Sequence, residues 1–530
     1  MKNYFLLLFV ILFSVSKSQN VNVVHRSNLP YSGGRECANI CGYVDSTGKE
    51  YALVGVETGM SIVDVSDPDN PFEVIALPWV PGPNQIWKEI KVYQHYAYVT
   101  SEAGGGVQIA DLRHLPAVNV PYQHWEPNLP GGTLATIHAL HIDTTKGNLY
   151  LYGTNIGNGG AICCSLADPR NPVYLGSYDI KYVHDGYVDN DTLYAGEILD
   201  GTCTIVDFTN KTNPTVLTTF ATPLNFTHNT WPSAGKRYLF TTDEKSNSAL
   251  TSYDISDLGN IVELDQIQSN PGSNSIVHNT HITSDTFAVT SWYKDGFTIV
   301  DVKRPHNMIQ VGNYDTYTAG AGNGFNGAWG VYPYLPSRTI VVSNIENGLH
   351  VLTPTYMRAC WLEGNIKDSV TLANLNGVTI TIIGFTAMNT TTANGGNFAT
   401  GTVTAGTYNV QLSKTGYQTL VVNNVQLSNG VLSILNRKLL PNGVGINNYA
   451  NNQTSLIIKN NPFIDELGIA YALKNDELNA ILTVTDNLGK VVETYVFNEN
   501  SGEISIGKQL RPGIYFVSLN KQYPIKVIKY

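Results

Sequence analysis

The chain has 530 residues, a charged fraction of 14% and a formal net charge of −10. This length predicts two to four domains, and mild acidity without a basic cluster argues against nucleic-acid binding. Plentiful Gly, Thr, Asn, Tyr and Val, with no long helical pattern, predicts an all-β chain of many short strands.

The chain begins with a pattern typical of a cleaved signal peptide, which we assign to residues 1–18. Lys2 gives a positive start, residues 5–15 form an apolar core, and Ser16 and Ser18 offer small side chains for cleavage. This core is too short to span a bilayer, and no later segment is apolar for long enough. We expect a mature chain without a transmembrane segment, secreted, and either extracellular or attached to the outer cell surface.

A short phrase recurs seven times between residues 59 and 352, with a period of roughly 40 to 55 residues. The first copy, GMSIVDVSDP at residues 59–68, is an apolar strand that ends at Asp64. The other copies lie at residues 106–112, 163–169, 204–208, 251–257, 297–302 and 348–352. Strands on both sides of each phrase complete units of four antiparallel strands, which bury both faces only when they stack around an axis.

Residues 21–25 form an additional strand before the first unit, and we expect it to close the ring as the outer strand of the last blade. The segments EYALVG, SIVDV, WKEIKVY and VTSEAG, between residues 50 and 104, resemble the LVIVD-repeat propellers, in particular the choice-of-anchor B group. The resemblance covers residues 21–356. It implies a seven-bladed β-propeller at residues 19–356 and an extracellular location, and it supplies no chemistry.

Histidines open four consecutive units: His138, His184, His228 and His278. The first strand of a propeller blade is innermost, so its first residues surround one mouth of the channel. The second strand runs back antiparallel, so its last residues reach the same mouth. The polar residues at these two kinds of position are Glu57, Glu102, Asn155, Asp185, Glu197, Asn229, Asp243, Glu244, Asn279 and Asn344.

Two interpretations of this constellation compete. Converging imidazoles and carboxylates suit a divalent metal ion, or acid–base chemistry on a bound ligand. Alternatively, each histidine bonds the backbone of a neighbouring blade and has a structural role. The circle of histidines around the channel is incomplete, because Ala38, Lys88 and Gly327 occupy the matching positions of the other blades. The candidate metal ligands are His138, His184, His228 and His278, and the candidate ligand-binding residues are Glu102, Asp185, Glu197, Asn229, Asp243 and Asn279.

For two other sets of residues we expect structural roles. Aspartates that recur at strand ends are typical of turns in which the carboxylate accepts backbone N–H bonds. They are Asp64, Asp111, Asp207, Asp254 and Asp301. The six cysteines fit no zinc pattern, and either some of them pair or they are buried small apolar side chains.

The pattern changes after residue 356. Alternating segments with Gly-initiated turns at residues 377–382, 406–412 and 416–420 predict a small β-sandwich. In their order these segments resemble a carboxypeptidase regulatory-like domain, which we assign to residues 357–440. The resemblance implies a non-catalytic spacer or adhesion module.

An Asn- and Gly-rich linker at residues 441–453 leads to a terminal unit at residues 454–530. The segments NNPF, LTVTDNLGKVV, LRPGIYFV and the ending IKVIKY resemble the type A C-terminal sorting domain of type IX secretion. The resemblance implies interaction with the type IX secretion machinery and transport across the outer membrane.

The sequence leaves two functions open. The first is a non-enzymatic binding or scaffold protein whose propeller face holds a glycan or protein ligand. The alternative is a metal-dependent extracellular hydrolase or lyase, with its site at the histidine-rich channel mouth.

Overall fold

The computed structural model describes residues 20–79, 84–385, 390–442, 455–473, 480–497, 499, 501–520 and 522–530. The proposed signal peptide, and all of the proposed linker except residues 441 and 442, lie outside these ranges. The described residues contain no α-helix. Within the described ranges there is accordingly no helix that could span a membrane.

Between residues 23 and 354, the described residues form seven four-stranded antiparallel sheets, numbered in chain order. β1 (Val23–Leu29) precedes the first sheet. Sheet 1 contains β2 (Cys37–Val44), β3 (Glu50–Val56), β4 (Gly59–Asp64) and β5 (Phe72–Pro78). Sheet 2 contains β6 (Lys88–Tyr93), β7 (Tyr96–Ser101), β8 (Val107–Asp111) and β9 (Tyr122–Trp125). A short hairpin of β10 (Asn128–Leu129) and β11 (Gly132–Thr133) follows.

The next sheets repeat this order. Sheet 3 contains β12 (Ile137–Asp143), β13 (Asn148–Thr154), β14 (Ala161–Ser165) and β15 (Val173–Tyr178). Sheet 4 contains β16 (Asp185–Asp189), β17 (Thr192–Glu197), β18 (Thr202–Asp207) and β19 (Thr215–Ala221). Sheet 5 contains β20 (Thr227–Pro232), β21 (Tyr238–Asp243), β22 (Leu250–Asp254) and β23 (Val262–Ile267). Sheet 6 contains β24 (Thr280–Thr283), β25 (Phe287–Ser291), β26 (Phe297–Asp301) and β27 (Ile309–Tyr314).

Sheet 7 joins the two ends of this region. It contains β28 (Ala328–Tyr332), β29 (Ile340–Asn344), β30 (Gly348–Pro354) and, as its outer strand, β1. β1 runs antiparallel to β30, from Val23 opposite Pro354 to Leu29 opposite Leu349. The additional strand expected at residues 21–25 therefore lies at Val23–Leu29, while Val21 bridges to Asn313.

The first strands of the sheets contact one another in a circular order. β2 contacts β6, and the contacts continue through β12, β16, β20 and β24 to β28, which returns to β2. Apolar side chains fill the space between successive sheets; Leu53 and Ile62 of sheet 1 share a core with Ile90 and Val99 of sheet 2. The sheets thus have a propeller-like arrangement around one axis.

The recurring aspartates have the predicted turn role. Each side chain accepts the backbone N–H of the residue two positions later, and the five N–H groups belong to Ser66, Arg113, Thr209, Ser256 and Lys303. All six cysteines are described, buried and free of disulfides, so the structure supports their interpretation as buried small side chains.

The chain beyond residue 356 forms two further pairs of sheets. In the first pair, β31 (Cys360–Asp368), β34 (Asn397–Thr402), β37 (Leu432–Ile434) and β38 (Arg437–Leu439) face β32 (Thr379–Ile382), β33 (Thr390–Thr391), β35 (Gly406–Ser413) and β36 (Leu420–Leu427). Leu362, Val378 and Val410 share the core between them. Of residues 416–420, which the sequence groups with the alternating segments, only Leu420 belongs to a strand, β36. Tyr417 forms an isolated bridge to Pro441, and Gly416 lies in a turn with a φ of 86°.

In the second pair, β39 (Ser455–Ile458), β40 (Leu467–Ala472) and β43 (Ser501–Ile506) form one sheet. β41 (Ala480–Asp486), β42 (Val491–Phe497), β44 (Gly513–Leu519) and β45 (Gln522–Lys529) form the other. Ile469, Leu482 and Val517 are buried in their common core. Lys529 lies buried, and its Nζ donates to three backbone carbonyls, including Gly507 O at 2.7 Å.

Candidate functional site

The four histidines lie side by side at the N-terminal ends of the first strands. Ring centroids are 4.0 Å apart for His138 and His184, 4.7 Å for His184 and His228, and 4.4 Å for His228 and His278. Sheets 3 to 6 each supply one ring. The structure thus brings together all four predicted histidines, which we term the histidine row.

Two carboxylates reach the histidine row. His138 Nδ1 lies 2.6 Å from Glu102 Oε1, a distance at which the ring N–H donates to the carboxylate. Glu244 lies between two imidazoles, with its oxygens 3.8 Å from His228 Nε2 and 3.7 Å from His278 Nε2. The Tyr293 hydroxyl donates to Glu244 Oε1 at 2.6 Å.

Part of this group has the composition of a metal site. One ligand atom each from His184, His228 and Glu244 lie within 4.8 Å of one another. His228 Nδ1 and the neighbouring Asn279 Oδ1 are buried, and neither has a hydrogen-bond partner among the described residues. Buried polar atoms of this kind are uncommon, and they indicate a site that can accept an ion or a water molecule.

The electrostatics of the histidine row follow from its burial. Burial lowers the pKa of His184 and His228 well below the usual range and that of His278 to about 3, so these imidazoles are neutral. Burial also raises the pKa of Glu244 to about 7, since none of the described Lys and Arg side chains forms an ion pair with it. Neutral imidazole is the form that binds metals.

A structural role also holds for one member of the row. His278 Nδ1 donates to the backbone oxygen of Trp329 at 2.6 Å, which ties sheet 6 to sheet 7. This bond leaves the lone pair of Nε2 directed away from Trp329. Histidines that ligate metals are commonly oriented by such a bond from their other ring nitrogen to a backbone oxygen, so the two predicted roles are compatible at this position.

A bulge places consecutive side chains of β20 near the axis. Thr227 pairs with Asp243 but Asn229 pairs with Thr242, so His228 is an extra residue in the ladder. A bulge breaks the strict alternation of side chains between the two faces. His228 therefore joins the histidine row, while Asn229 donates to Asp185 Oδ2 at 2.7 Å.

A second polar layer lies deeper along the axis and includes residues that the sequence analysis did not select. Glu89 accepts hydrogen bonds from Asn39 and Lys91. Burial and nearby Glu89 raise the pKa of Asp185 to about 6. Glu89 and Lys91 are two positions apart in β6 and thus share a face. Charged residues at that spacing within a buried strand are the signal that could have revealed them.

Two predicted residues make other contacts. Glu197 is fully buried and accepts from Thr202 and Thr204 of its own sheet, from Tyr178 of sheet 3 and from Lys181, which lies between the two sheets. Asp243 accepts from Thr222 Oγ1 and Leu224 N. Among the described contacts neither carboxylate touches a histidine. Asn279 borders the histidine row, and Glu244, one residue beyond the end of β21, takes the position expected of Asp243.

Comparison with known families identifies three components. The LVIVD repeat matches residues 48–76 and 288–316. The carboxypeptidase regulatory-like domain matches residues 362–439, and the secretion system C-terminal sorting domain matches residues 461–529. No curated protein matches the chain.

These matches agree with the three resemblances seen in the sequence. The chain carries LVIVD repeats, which are typical of propeller-like extracellular proteins, and a carboxypeptidase regulatory-like domain. The sorting domain indicates export to the cell surface or the extracellular space, and it supports interaction with the type IX secretion machinery.

Proposed function

We propose that this chain is a non-enzymatic binding protein that holds a divalent transition-metal ion between His184, His228 and Glu244. Its scaffold is a seven-bladed propeller of the choice-of-anchor B type at residues 19–356. A spacer module at residues 357–440 and a sorting domain at residues 454–530 follow, joined by the linker at 441–453. The circular order of seven sheets and the pairing of β1 with β30 support this architecture.

The close approach of the buried His228 imidazole, the half-buried His184 imidazole and the half-buried Glu244 carboxylate carries the metal assignment. Metal–nitrogen and metal–oxygen bonds are about 2.0–2.2 Å long, so two ligand atoms on one ion are at most about 4.4 Å apart. The 3.8 Å between His228 Nε2 and Glu244 Oε2 already meets this limit. The ligand atom of His184 lies within 4.8 Å of those of His228 and Glu244, so a small side-chain rotation brings it within reach. His278 Nε2 lies 3.7 Å from Glu244 Oε1 but is not part of this three-residue group.

The size of the site favours binding over catalysis. The cavity next to the site, bordered by His138, His228, His278 and Trp329 but not by His184 or Glu244, has a volume of about 20 Å³. A water molecule needs about 10–15 Å³ measured in this way, so this cavity holds about one water beside the ion. A polymeric substrate does not fit there.

Metal analysis of the mature protein tests this proposal. We expect about one ion per chain after purification without chelator, and one Zn²⁺ binding event by calorimetry after EDTA treatment and desalting. His228→Ala combined with Glu244→Gln removes the site and weakens Zn²⁺ binding at least about tenfold. His124→Gln, at a half-buried histidine of β9, is the matched control and leaves binding unchanged. Wild-type protein that neither retains metal nor binds Zn²⁺ contradicts the proposal.

One observation supports a second candidate, a metal-dependent hydrolase or lyase. Glu102 orients His138, whose ring lies 4.0 Å from that of His184. An imidazole held by a carboxylate beside a metal is typical of a general base. In that case Glu102→Gln retains the metal but abolishes release of soluble products from extracellular polysaccharide or protein. Failure of the wild-type protein to release any such product rules out the enzyme.

A further inference from the structure

A second, much larger cavity lies at the other end of the axis. Its volume is about 750 Å³, and all seven sheets border it through the C-terminal ends of their first strands, as Val44, Ile142 and Ile282 illustrate. The histidine row lies at the N-terminal ends of these strands. The two sites are therefore at opposite mouths, and we term the larger one the aromatic cup.

Aromatic rings cover one side of the aromatic cup. The half-buried Trp231 ring lies 4.7 Å from the Tyr187 ring and 6.1 Å from the Tyr334 ring, the latter stacked at an interplanar angle of 20°. Tyr334 is 37% exposed. Aromatic rings that stay partly exposed at the wall of a concave site are suited to contacting a ligand.

The two lysines of the aromatic cup are already compensated. Lys91 pairs with Glu89, and Lys236 pairs with Asp189. Asp285 Oδ1 accepts the backbone N–H of Ala234 at 2.7 Å. No described lysine or arginine of the wall is thus left to select an anionic ligand, and Asp285, which forms no ion pair among the described residues, can accept a hydrogen bond from a ligand.

The polar groups that remain suit hydroxyls. Gln94, Thr144 and Ser284 are exposed in the wall and offer neutral donors and acceptors. A paired ammonium group can still donate a hydrogen bond to a ligand hydroxyl, and a paired carboxylate can still accept one. A ligand that combines an apolar face with many hydroxyls satisfies both the rings and these groups.

We propose that the aromatic cup binds a neutral saccharide, with a pyranose ring stacked on Trp231 and Tyr334 and its hydroxyls bonded to Lys236, Asp285 and Ser284. The volume lies within the range of about 300–1,000 Å³ typical of small-molecule sites. Aromatic faces give affinity for the C–H face of a sugar, and polar groups at the rim fix its orientation. This site is independent of the proposed metal site.

Calorimetry of the mature protein with cellohexaose, xylohexaose, mannohexaose and laminarihexaose tests the proposal, with hexagalacturonate as the charged comparison. At least one neutral hexasaccharide binds, more tightly than hexagalacturonate. Trp231→Ala and Tyr334→Ala each weaken binding about tenfold. Tyr122→Ala, at an exposed tyrosine of β9, is the matched control and leaves binding unchanged. The double variant at His228 and Glu244 also retains saccharide binding, which separates this test from that of the metal site.

Three results overturn the proposal. They are the absence of binding by all four neutral hexasaccharides at millimolar concentration, tighter binding of hexagalacturonate, and variants that bind as the Tyr122→Ala protein does. Circular dichroism and thermal unfolding of each variant establish that it is folded. If Trp231→Ala does not fold, the more exposed Tyr334→Ala provides the same comparison.

Discussion

Among the recurring aspartates, Asp301 bonds not only its own turn but also the segment that follows sheet 7. Its Oδ1 accepts Lys303 N, as the repeat requires, but its Oδ2 accepts the guanidinium Nε of Arg358 at 2.7 Å and the N–H of Ala359 at 2.9 Å. The Asp301 side chain is fully buried. One repeat position has thus gained a role in fixing the chain that leaves sheet 7.

Asp301→Ala should therefore cost more than the same change at Asp207, the equivalent residue of sheet 4. Asp301→Ala leaves buried donors unsatisfied, and we expect a loss of about 2–4 kcal/mol in the free energy of unfolding. Asp207 accepts from Thr209 alone among the described residues, so Asp207→Ala should cost below about 1 kcal/mol. Urea denaturation of both variants measures the difference, and equal losses contradict this account.

At the residue scale, the sequence located the histidine row and Glu102 because a repeat places equivalent residues at equivalent heights on the axis. It named Asp243 and Glu244 as reaching the channel mouth and chose Asp243 as the candidate ligand-binding residue, whereas Glu244 is the one that lies beside the histidines. A one-residue change in register reverses the face to which a side chain points, and the end of β21 cannot be read from sequence to that accuracy. The bulge at His228 is equally invisible in the pattern.

At the scale of elements, β1 completes a sheet whose other strands lie about 300 residues later. Its hydrogen bonds run along the length of β30, and without it β30 is an unpaired edge. Arg26 adds an ion pair with Asp69 of sheet 1 at 2.5 Å. β1 therefore links the first and last sheets of the circle.

Removal of β1 should open this junction. A mature chain that begins at Pro30 exposes the β30 edge, and we expect a lower midpoint of thermal unfolding and aggregation on heating. A synthetic peptide of residues 20–29 should restore stability by adding its strand to β30. A scrambled peptide of the same composition is the control. Equal stability of the shortened and complete chains contradicts the role assigned to β1.

Element order was more predictable than element bounds. The apolar phrase recurs in all seven sheets and ends at Asp in five of them, because its turn chemistry is local. Non-local pairing has no such local signal: the strand expected at residues 21–25 begins at Val23, since the partner residues on β30 decide where pairing starts. The hairpin of β10 and β11 interrupts the repeat without any matching phrase.

At the scale of the whole molecule, the propeller-like region and the module that follows it are joined by an ion cluster. Glu363 of β31 accepts from Arg304 Nε at 2.8 Å, from Arg304 Nη2 at 2.9 Å and from Asn307 Nδ2 at 3.0 Å. The Trp361 indole donates to Asn307 O at 3.1 Å. A bidentate arginine and a buried indole fix orientation as well as distance, so this junction holds the downstream module in a defined position against sheet 6.

The junction should weaken in acid. Burial alone would raise the pKa of Glu363, but hydrogen bonds from His306, Arg304 and Asn307 outweigh it and hold the pKa at about 2. In the unfolded chain this pKa returns to its usual 4.5. Because the folded value is the lower one, the carboxylate contributes its full stability above pH 4.5 and loses it as pH falls toward 2.

Glu363→Gln removes this contribution at every pH. We expect the variant to unfold about 2–4 °C below wild type at pH 7, with the difference shrinking from pH 4.5 and vanishing near pH 2. Glu466→Gln, in the exposed pair with Lys508, should change the unfolding midpoint little at any pH. Calorimetric scans of the three proteins between pH 2 and 7 measure these differences. A gap between wild type and Glu363→Gln that stays constant down to pH 2 would show that Glu363 is not the group that couples the junction to pH.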